Sequence, residues 1–337
     1  MKIVLLHTKD AVDGEEDPVL GQIEGALHGG GHETRRVMVD NAVEPVVSAL
    51  TSDRPDLVIN LAESFAGKSA LESNIAALLN LIDLRYTGSS PAGLLVAGDK
   101  TLSKKVLQFH GIKTPEFATV YRGAVDWAGD VKFPLIMKPP QEDASLGITH
   151  KSVVRDVREL LEKIGELQTE YQSPALAEEF IEGREFYVAI IGNDEPEALP
   201  IIEMDFSGLP AGAPHILGER SKFDESSLEY KGTRAVLAQI PDELRARLHK
   251  ISLDAYRALR VRDYGRVDLR LTDTGEAYVI EVNASCYLEE KSEFAMAAAA
   301  AGMDYPTLVN RIAELAFERC GRRAHPIAGE PTPVFSS

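Results

Sequence analysis

The chain has 337 residues, 44% of them hydrophobic and 7% aromatic, which is enough for two or three domains of an ordinary globular protein. A formal net charge of -17 excludes sequence-independent binding to nucleic-acid backbones, which needs a basic surface, but permits an anionic ligand where lysines and a divalent cation set the local field. Two cysteines, Cys286 and Cys320, make neither a disulfide framework nor a zinc set and fit a cytoplasmic setting; no run is long and apolar enough to span a membrane.

In chain order, residues 2–6 read as a buried strand, 19–28 have helical spacing, and Gly29-Gly-Gly31 ends that helix. A strand over 32–39, a helix over 43–51 and a strand over 56–60 follow, leading into a Ser/Gly loop at 64–69, a helix over 71–81 and a turn at 86–91. This alternation predicts an open, mostly parallel sheet with its working loops at the strand carboxyl ends. Further on, the apolar run 133–137 ends on Lys138 before two prolines, where a buried strand becomes a loop. In the loop that follows, Ser145 and Gly147 leave room for backbone N–H groups to face phosphate oxygens. Residues 295–301 suit a tightly packed helix, and the Pro-rich tail 326–337 a loosely held end.

The most informative stretch is 264–272 with 277–283. Strand alternation puts Arg266, Asp268 and Arg270 on one face, opposite Val267, Leu269 and Leu271; Asp273-Thr-Gly275 reads as a hairpin turn. In the second run, Tyr278, Ile280 and Val282 fall on one face and Val279, Glu281 and Asn283 on the other. Asp268, Glu281 and Asn283 then converge across the hairpin as an all-oxygen set that suits a hard cation such as Mg2+, with Glu281 able to bridge two ions. Taken alone, such a pattern is more often a polar hairpin face in water.

Tyr86-Thr-Gly-Ser, Asp99-Lys100 with Lys104 and Lys105, Gly111-Ile-Lys-Thr-Pro115, the 133–138 run with 141–148, the 175–186 segment, the hairpin and Ala301-Gly-Met-Asp-Tyr305 occur in this order. Together they resemble the ATP-grasp superfamily, most closely the D-alanine–D-alanine ligases, over nearly the whole chain. The resemblance implies an α/β fold, α+β in its ATP-grasp part. An N-terminal open parallel-sheet domain (1–97) would precede central (98–186) and C-terminal (187–325) ATP-grasp subdomains with ATP between them, then a loose tail (326–337). It implies ATP and Mg2+, two ions with Mn2+ able to substitute. Lys100 and Lys138 would meet the nucleotide phosphates, Ser145 would lie in the flexible loop above them, and Lys222 on a mobile segment closing over the γ-phosphate. Glu178, Glu179, Phe180 and Ile181 would surround adenine on a single interdomain strand, chiefly through the backbone of Glu179 and Ile181, and Glu185 would accept the ribose hydroxyls. Asp268, Glu281 and Asn283 would hold the metal, and Arg266 would touch the transferred phosphoryl group.

The implied chemistry is phosphorylation of a carboxylate by ATP, then attack of an amine on the acyl phosphate to form an amide. Substrate identity is less well matched. Ser292 aligns with the ligases' serine for the second amino acid's carboxylate, but Asn283 is followed by Ala-Ser-Cys286-Tyr287 where the family has a Pro-Gly turn. Glu289, Glu290, Lys291 and Glu293 crowd the same region with charge. The Gly14-Glu15-Glu16-Asp17 stretch could give a substitute carboxylate for the first amino group, with Glu15 the candidate, and Cys286 reads as buried filler rather than a nucleophile. The expected activity is a carboxylate–amine ligase for amino acids or a small peptide. A ligase or carboxylate kinase for another acid, and a non-catalytic Mg-ATP sensor, remain open. A homodimer through N-terminal helices, using an apolar face at 75–81, is a further expectation.

Overall fold

The computed structural model describes residues 1–8, 17–121, 124–127, 130–141, 148–171, 174–210, 212–213, 215–218 and 227–322. Glu15, Ser145, Lys222 and the tail from 326 lie outside them.

Strands β1 (Lys2–Thr8), β2 (Glu33–Val39) and β3 (Leu57–Leu61) form a parallel sheet in the order β2-β1-β3. Ile3, Val4, Leu5 and Leu6 are all buried, as a strand covered on both faces requires. Helix α1 (Pro18–Gly29) begins where Asp17 accepts the Val19 N–H at 2.9 Å and Pro18 supplies a first-turn residue with no N–H to satisfy. Helices α2 (Val43–Ser52) and α3 (Glu72–Leu81) complete the expected alternation. In the 86–91 segment, Tyr86 forms a parallel bridge to Val58, and Ser90 caps α4 (Pro91–Ala97). Of the 75–81 stretch, Ile75, Ala76 and Leu79 are buried in the chain's own core, whereas Leu81 is 83% exposed.

Helix α5 (Lys100–Phe109), capped by Asp99, leads into a five-stranded antiparallel sheet of β4 (Phe117–Tyr121), β5 (Ala124–Trp127), β6 (Leu135–Lys138), β7 (Val153–Val154) and β8 (Ala175–Glu179), in the order β5-β4-β8-β6-β7. Helix α6 (Val157–Glu170) packs on it through Leu167, which joins Leu135, Met137, Val154, Ala175 and Ala177 in a separate small core. The second, six-stranded sheet contains β9 (Arg184–Ile191), β10 (Glu197–Ala198), β11 (Ile202–Asp205), β12 (Arg234–Leu237), β13 (Tyr264–Leu271) and β14 (Ala277–Asn283). Its order is β12-β11-β9-β13-β14, with β10 beside β9. Helices α7 (Leu228–Gly232), α8 (Asp242–Ala258), α9 (Glu293–Ala300) and α10 (Tyr305–Arg322) accompany it.

Two sequence expectations need correction. The segment 175–186 is two strands in different sheets: the chain leaves the smaller sheet after Glu179 and enters the larger one at Arg184. Gly183 makes the crossing at φ +141, and a Cβ there would stand 2.0 Å from the Leu271 carbonyl oxygen, so only glycine fits. In the hairpin, Asp268 pairs with Glu281 but Leu269 pairs with Val279, so Ile280 is an extra residue, a β-bulge. The bulge breaks the expected alternation. Val279 joins Val282 in the core, and Tyr278 stands opposite Arg270.

The parallel sheet and the six-stranded sheet share their apolar cores. Val4 and Leu6 cluster with Val188, Val267, Val279 and Leu248. Ile3 and Leu5 cluster with Ala189, Phe294, Ala297 and Leu308. A fully buried carboxylate ties these parts together: Asp263 accepts from Gly88 N (2.9 Å), Asn193 Nδ2 (3.0 Å), and Arg319 Nε (2.9 Å) and Nη2 (2.8 Å).

Candidate active site

The two antiparallel sheets face each other across a cleft lined by charged and apolar side chains from both. Lys138 of β6 and Glu178 and Glu179 of β8 line one wall, Phe180 and Ile181 of the crossing segment the end. Glu185, Arg266, Asp268, Glu281 and Asn283 of the larger sheet line the other, with Lys100 reaching in from α5.

The floor of the cleft is a buried charge network, and its centre, Lys104, had no role assigned from sequence. Lys104 Nζ lies 2.9 Å from Glu178 Oε2 and donates to Thr114 Oγ1 and to the Ile280 carbonyl, each at 3.1 Å. Lys138 Nζ meets Glu178 Oε1 at 3.2 Å, and Lys100 Nζ meets Glu281 Oε1 at 2.8 Å. Burial acts to raise the Glu178 carboxyl, but the two ammonium groups outweigh it and hold it below its ordinary value. Burial also lowers Lys104, which Glu178 partly offsets. Glu178 thus serves as counter-ion to both lysines while still lining the cleft. One signal was available: Lys100 and Lys104 stand four residues apart on a helix that starts at the cleft, so they share a face. Around the expected adenine position, the Glu179 N–H donates to Glu116 O and the Phe180 N–H to Pro134 O, each at 2.9 Å. Glu185, the expected ribose acceptor, already pairs with Arg270 and accepts from Tyr187 Oη at 2.8 Å.

Deeper in, Arg266 forks onto Asp268, Nε to Oδ1 at 2.8 Å and Nη2 to Oδ2 at 3.0 Å. Its Nη1 donates to Glu293 Oε2 at 3.1 Å, and the guanidinium lies 4.3 Å from the Tyr187 ring centroid. Asn283 Nδ2 donates to Asp268 Oδ2 at 3.1 Å. Burial raises the Asp268 carboxyl to about 6 against the pull of Arg266. Among the described residues, no three His, Cys, Asp or Glu side chains are gathered as a ready-made metal cage. The hairpin nevertheless offers two carboxylates and an amide oxygen in one cleft, hard donors that fit Mg2+.

A smaller cavity lies between the parallel sheet and the loop after β14, lined by His7, Asp17, Glu63, Cys286 and Tyr287 among others. Tyr287 is 46% exposed and its hydroxyl donates to Asp17 Oδ1 at 2.9 Å. Ser292 Oγ accepts from Ala295 N at 3.3 Å and caps α9, which leaves its O–H as a donor. Cys286 is 7% exposed, and burial pushes its thiol up to about 12. A thiol held protonated is a poor nucleophile. Cys286→Ala therefore keeps turnover within about twofold, and mass spectrometry after native alkylation at pH 8 leaves Cys286 unlabelled until the chain is unfolded.

A cleft between two antiparallel sheets, with lysines on one wall and acids beside an arginine on the other, defines an ATP-grasp protein. The family model described as the D-ala D-ala ligase C-terminus matches residues 106–314, and the chain belongs to the D-alanine–D-alanine ligase family. It is 32% identical to an uncharacterised protein of Sinorhizobium fredii over 306 residues, covering 89% of this chain and 88% of that one. It is also 32% identical to the D-alanine–D-alanine ligase of Desulforudis audaxviator over 251 residues (73% and 77% of the two chains). The ligase of Ralstonia nicotianae is 31% identical over 282 residues (82% and 80%). Its fold matches the crystal structure of the Bacillus anthracis D-alanine–D-alanine ligase complexed with ATP, with a TM-score of 0.75 and 23% identity over 96% of this chain and 100% of that one.

Proposed function

We propose that the protein is an ATP-dependent ligase that joins the carboxylate of one amino acid or small peptide to the amine of another through an acyl phosphate. The observation that carries this reading is the meeting of Lys100, Lys138 and Arg266 with Asp268, Glu281 and Asn283 in one cleft. Lys138 and Lys100 would bind phosphate oxygens as point charges. Asp268, Glu281 and Asn283 would hold Mg2+, which when bound neutralises charge on the transferring group. Arg266 would donate to the phosphoryl oxygens and then to the oxyanion formed as the amine attacks. Of the readings left open by the sequence, family membership favours amide formation over a carboxylate kinase or a non-catalytic sensor. Ser145 and Lys222 remain proposed nucleotide contacts and Glu15 a proposed substrate contact. Tyr287, with Asp17 and Glu63 lining the same cavity, suggests a more polar acceptor pocket than one made for a methyl side chain, and Ser292 remains a proposed substrate contact. A homodimer through the 75–81 helix would have to use Leu81.

Phosphate release from ATP with a panel of D- and L-amino acids tests the reaction. Release that requires two amino acids and yields a dipeptide mass supports it; silence across the panel counts against dipeptide formation. Asp268→Asn and Glu281→Gln should each weaken metal–nucleotide affinity by about 10-fold to 100-fold or more, since even groups that only support a metal ligand cost this much. Titration calorimetry with Mg2+ and an ATP analogue checks this.

A further inference from the structure

We propose that Glu293 is a positioning residue that keeps Arg266 in the cleft when Asp268 turns its oxygens toward a divalent cation. The inference rests on the functional reading above and starts from a conflict inside the site. Asp268 already accepts two bonds from Arg266, at 2.8 and 3.0 Å, and one from Asn283, at 3.1 Å. A carboxylate so occupied cannot keep the whole fork and also serve a hard cation. If Arg266 had no other acceptor, releasing Asp268 would strand a guanidinium whose side chain is only 13% exposed.

Glu293 supplies that acceptor, taking Nη1 at 3.1 Å. It is the first residue of α9, and Ser292 caps that helix, so its backbone is anchored apart from the strand that carries Arg266 and Asp268. A carboxylate in a first helical turn is also favoured by the helix dipole. The Tyr187 ring, 4.3 Å from the guanidinium carbon, gives the planar group a flat seat, and that ring is pinned by its hydroxyl on Glu185. Turning in its own plane about the Glu293 contact, Arg266 exchanges Asp268 for phosphoryl oxygens without ever lacking a carboxylate partner. The plain alternative is that Glu293 is a solvated first-turn acid whose contact with Arg266 has no consequence.

Glu293→Gln, Glu293→Asp, Arg266→Lys and the double variant E293Q/R266K separate these. Mn2+ binding in the presence of a non-hydrolysable ATP analogue is measured by calorimetry and electron paramagnetic resonance, beside analogue binding without metal and ATP turnover. Glu293→Gln should leave metal-free analogue affinity unchanged, weaken Mn2+ roughly 10-fold and lower kcat by a similar factor, the order expected when one charge-assisted hydrogen bond is lost in only one of two states. Glu293→Asp should fall between. In the Arg266→Lys background the Glu293→Gln loss should shrink, because the two residues act as a pair. Thermal melts verify that the variants fold. Mn2+ affinity and kcat at the unaltered level in Glu293→Gln, or an equal loss in both backgrounds, overturns the proposal. Mn2+ binding by the unaltered chain without amide formation sinks only the proposed reaction and leaves this test intact; no Mn2+–nucleotide binding at all sinks both.

Discussion

Arg266→Ala is expected to lower turnover by roughly 100-fold to 1,000-fold while the protein still binds ATP, because it removes a donor that matters most as charge spreads onto the transferring group. Asp268, Glu293 and the Tyr187 ring fix the plane of this side chain. Deleting it leaves the buried Asp268 carboxylate without its cation, so some metal affinity should change as well. Arg266→Lys discriminates between charge and shape. Lysine keeps the positive charge but cannot make the paired bonds of a planar fork, so it should recover only part of the lost rate. Pre-steady-state measurement of ADP formation separates the chemical step from product release. Turnover within tenfold of the unaltered chain in Arg266→Ala would remove this residue from the reaction.

Asp263→Ala carries the second large effect, on stability rather than chemistry. The carboxylate is fully buried and holds Gly88, Asn193 and Arg319, which lie in three different parts of the chain. Its loss strands the Arg319 guanidinium, whose side chain is 12% exposed, and breaking a buried pair by removing one partner costs about 3–5 kcal/mol. Denaturant titration should show a lower midpoint with little change in slope. Asp263→Asn keeps the shape and some hydrogen bonds and should lose less. An unchanged midpoint in Asp263→Ala would mean that the network contributes little to holding these parts together.

Much of the site could be read from residue order, because the hairpin acids lie within one local pair of strands. Asp268 and Glu281 are in register, and Arg266 and Asn283 are in register two positions away. The parallel N-terminal sheet was legible for a similar reason: continuous apolar runs and helix-terminal signals are local. The bulge was not legible. Strict alternation assumes an unbroken ladder, and nothing local marks Ile280 as the extra residue; Lys104, far away in sequence, holds its carbonyl. The same distance hid the pairing of Lys104 with Glu178 and of Arg266 with Glu293, since two charges in one protein imply contact only once the fold brings them together. The split of 175–186 was hidden because two short β-like pieces joined through Glu182-Gly183 give no sign of which sheet each half joins. Ser292 carries a role that the position match did not show, since its hydroxyl also accepts from Ala295 N as a helix cap.

The smaller sheet has a property that follows from where its chain enters and leaves. Phe117 and Glu178 are paired neighbours, and the Glu179 N–H bonds to Glu116 O at 2.9 Å, so both ends of the 117–179 segment meet at one place. That segment also has its own apolar core. Because it is a nearly self-contained insert on two adjacent stems, it can loosen as a unit while the shared cores of the rest stay closed. Its fraying would uncover one wall of the nucleotide cleft without unravelling the other, so nucleotide bound between the walls would act as a clasp on this segment.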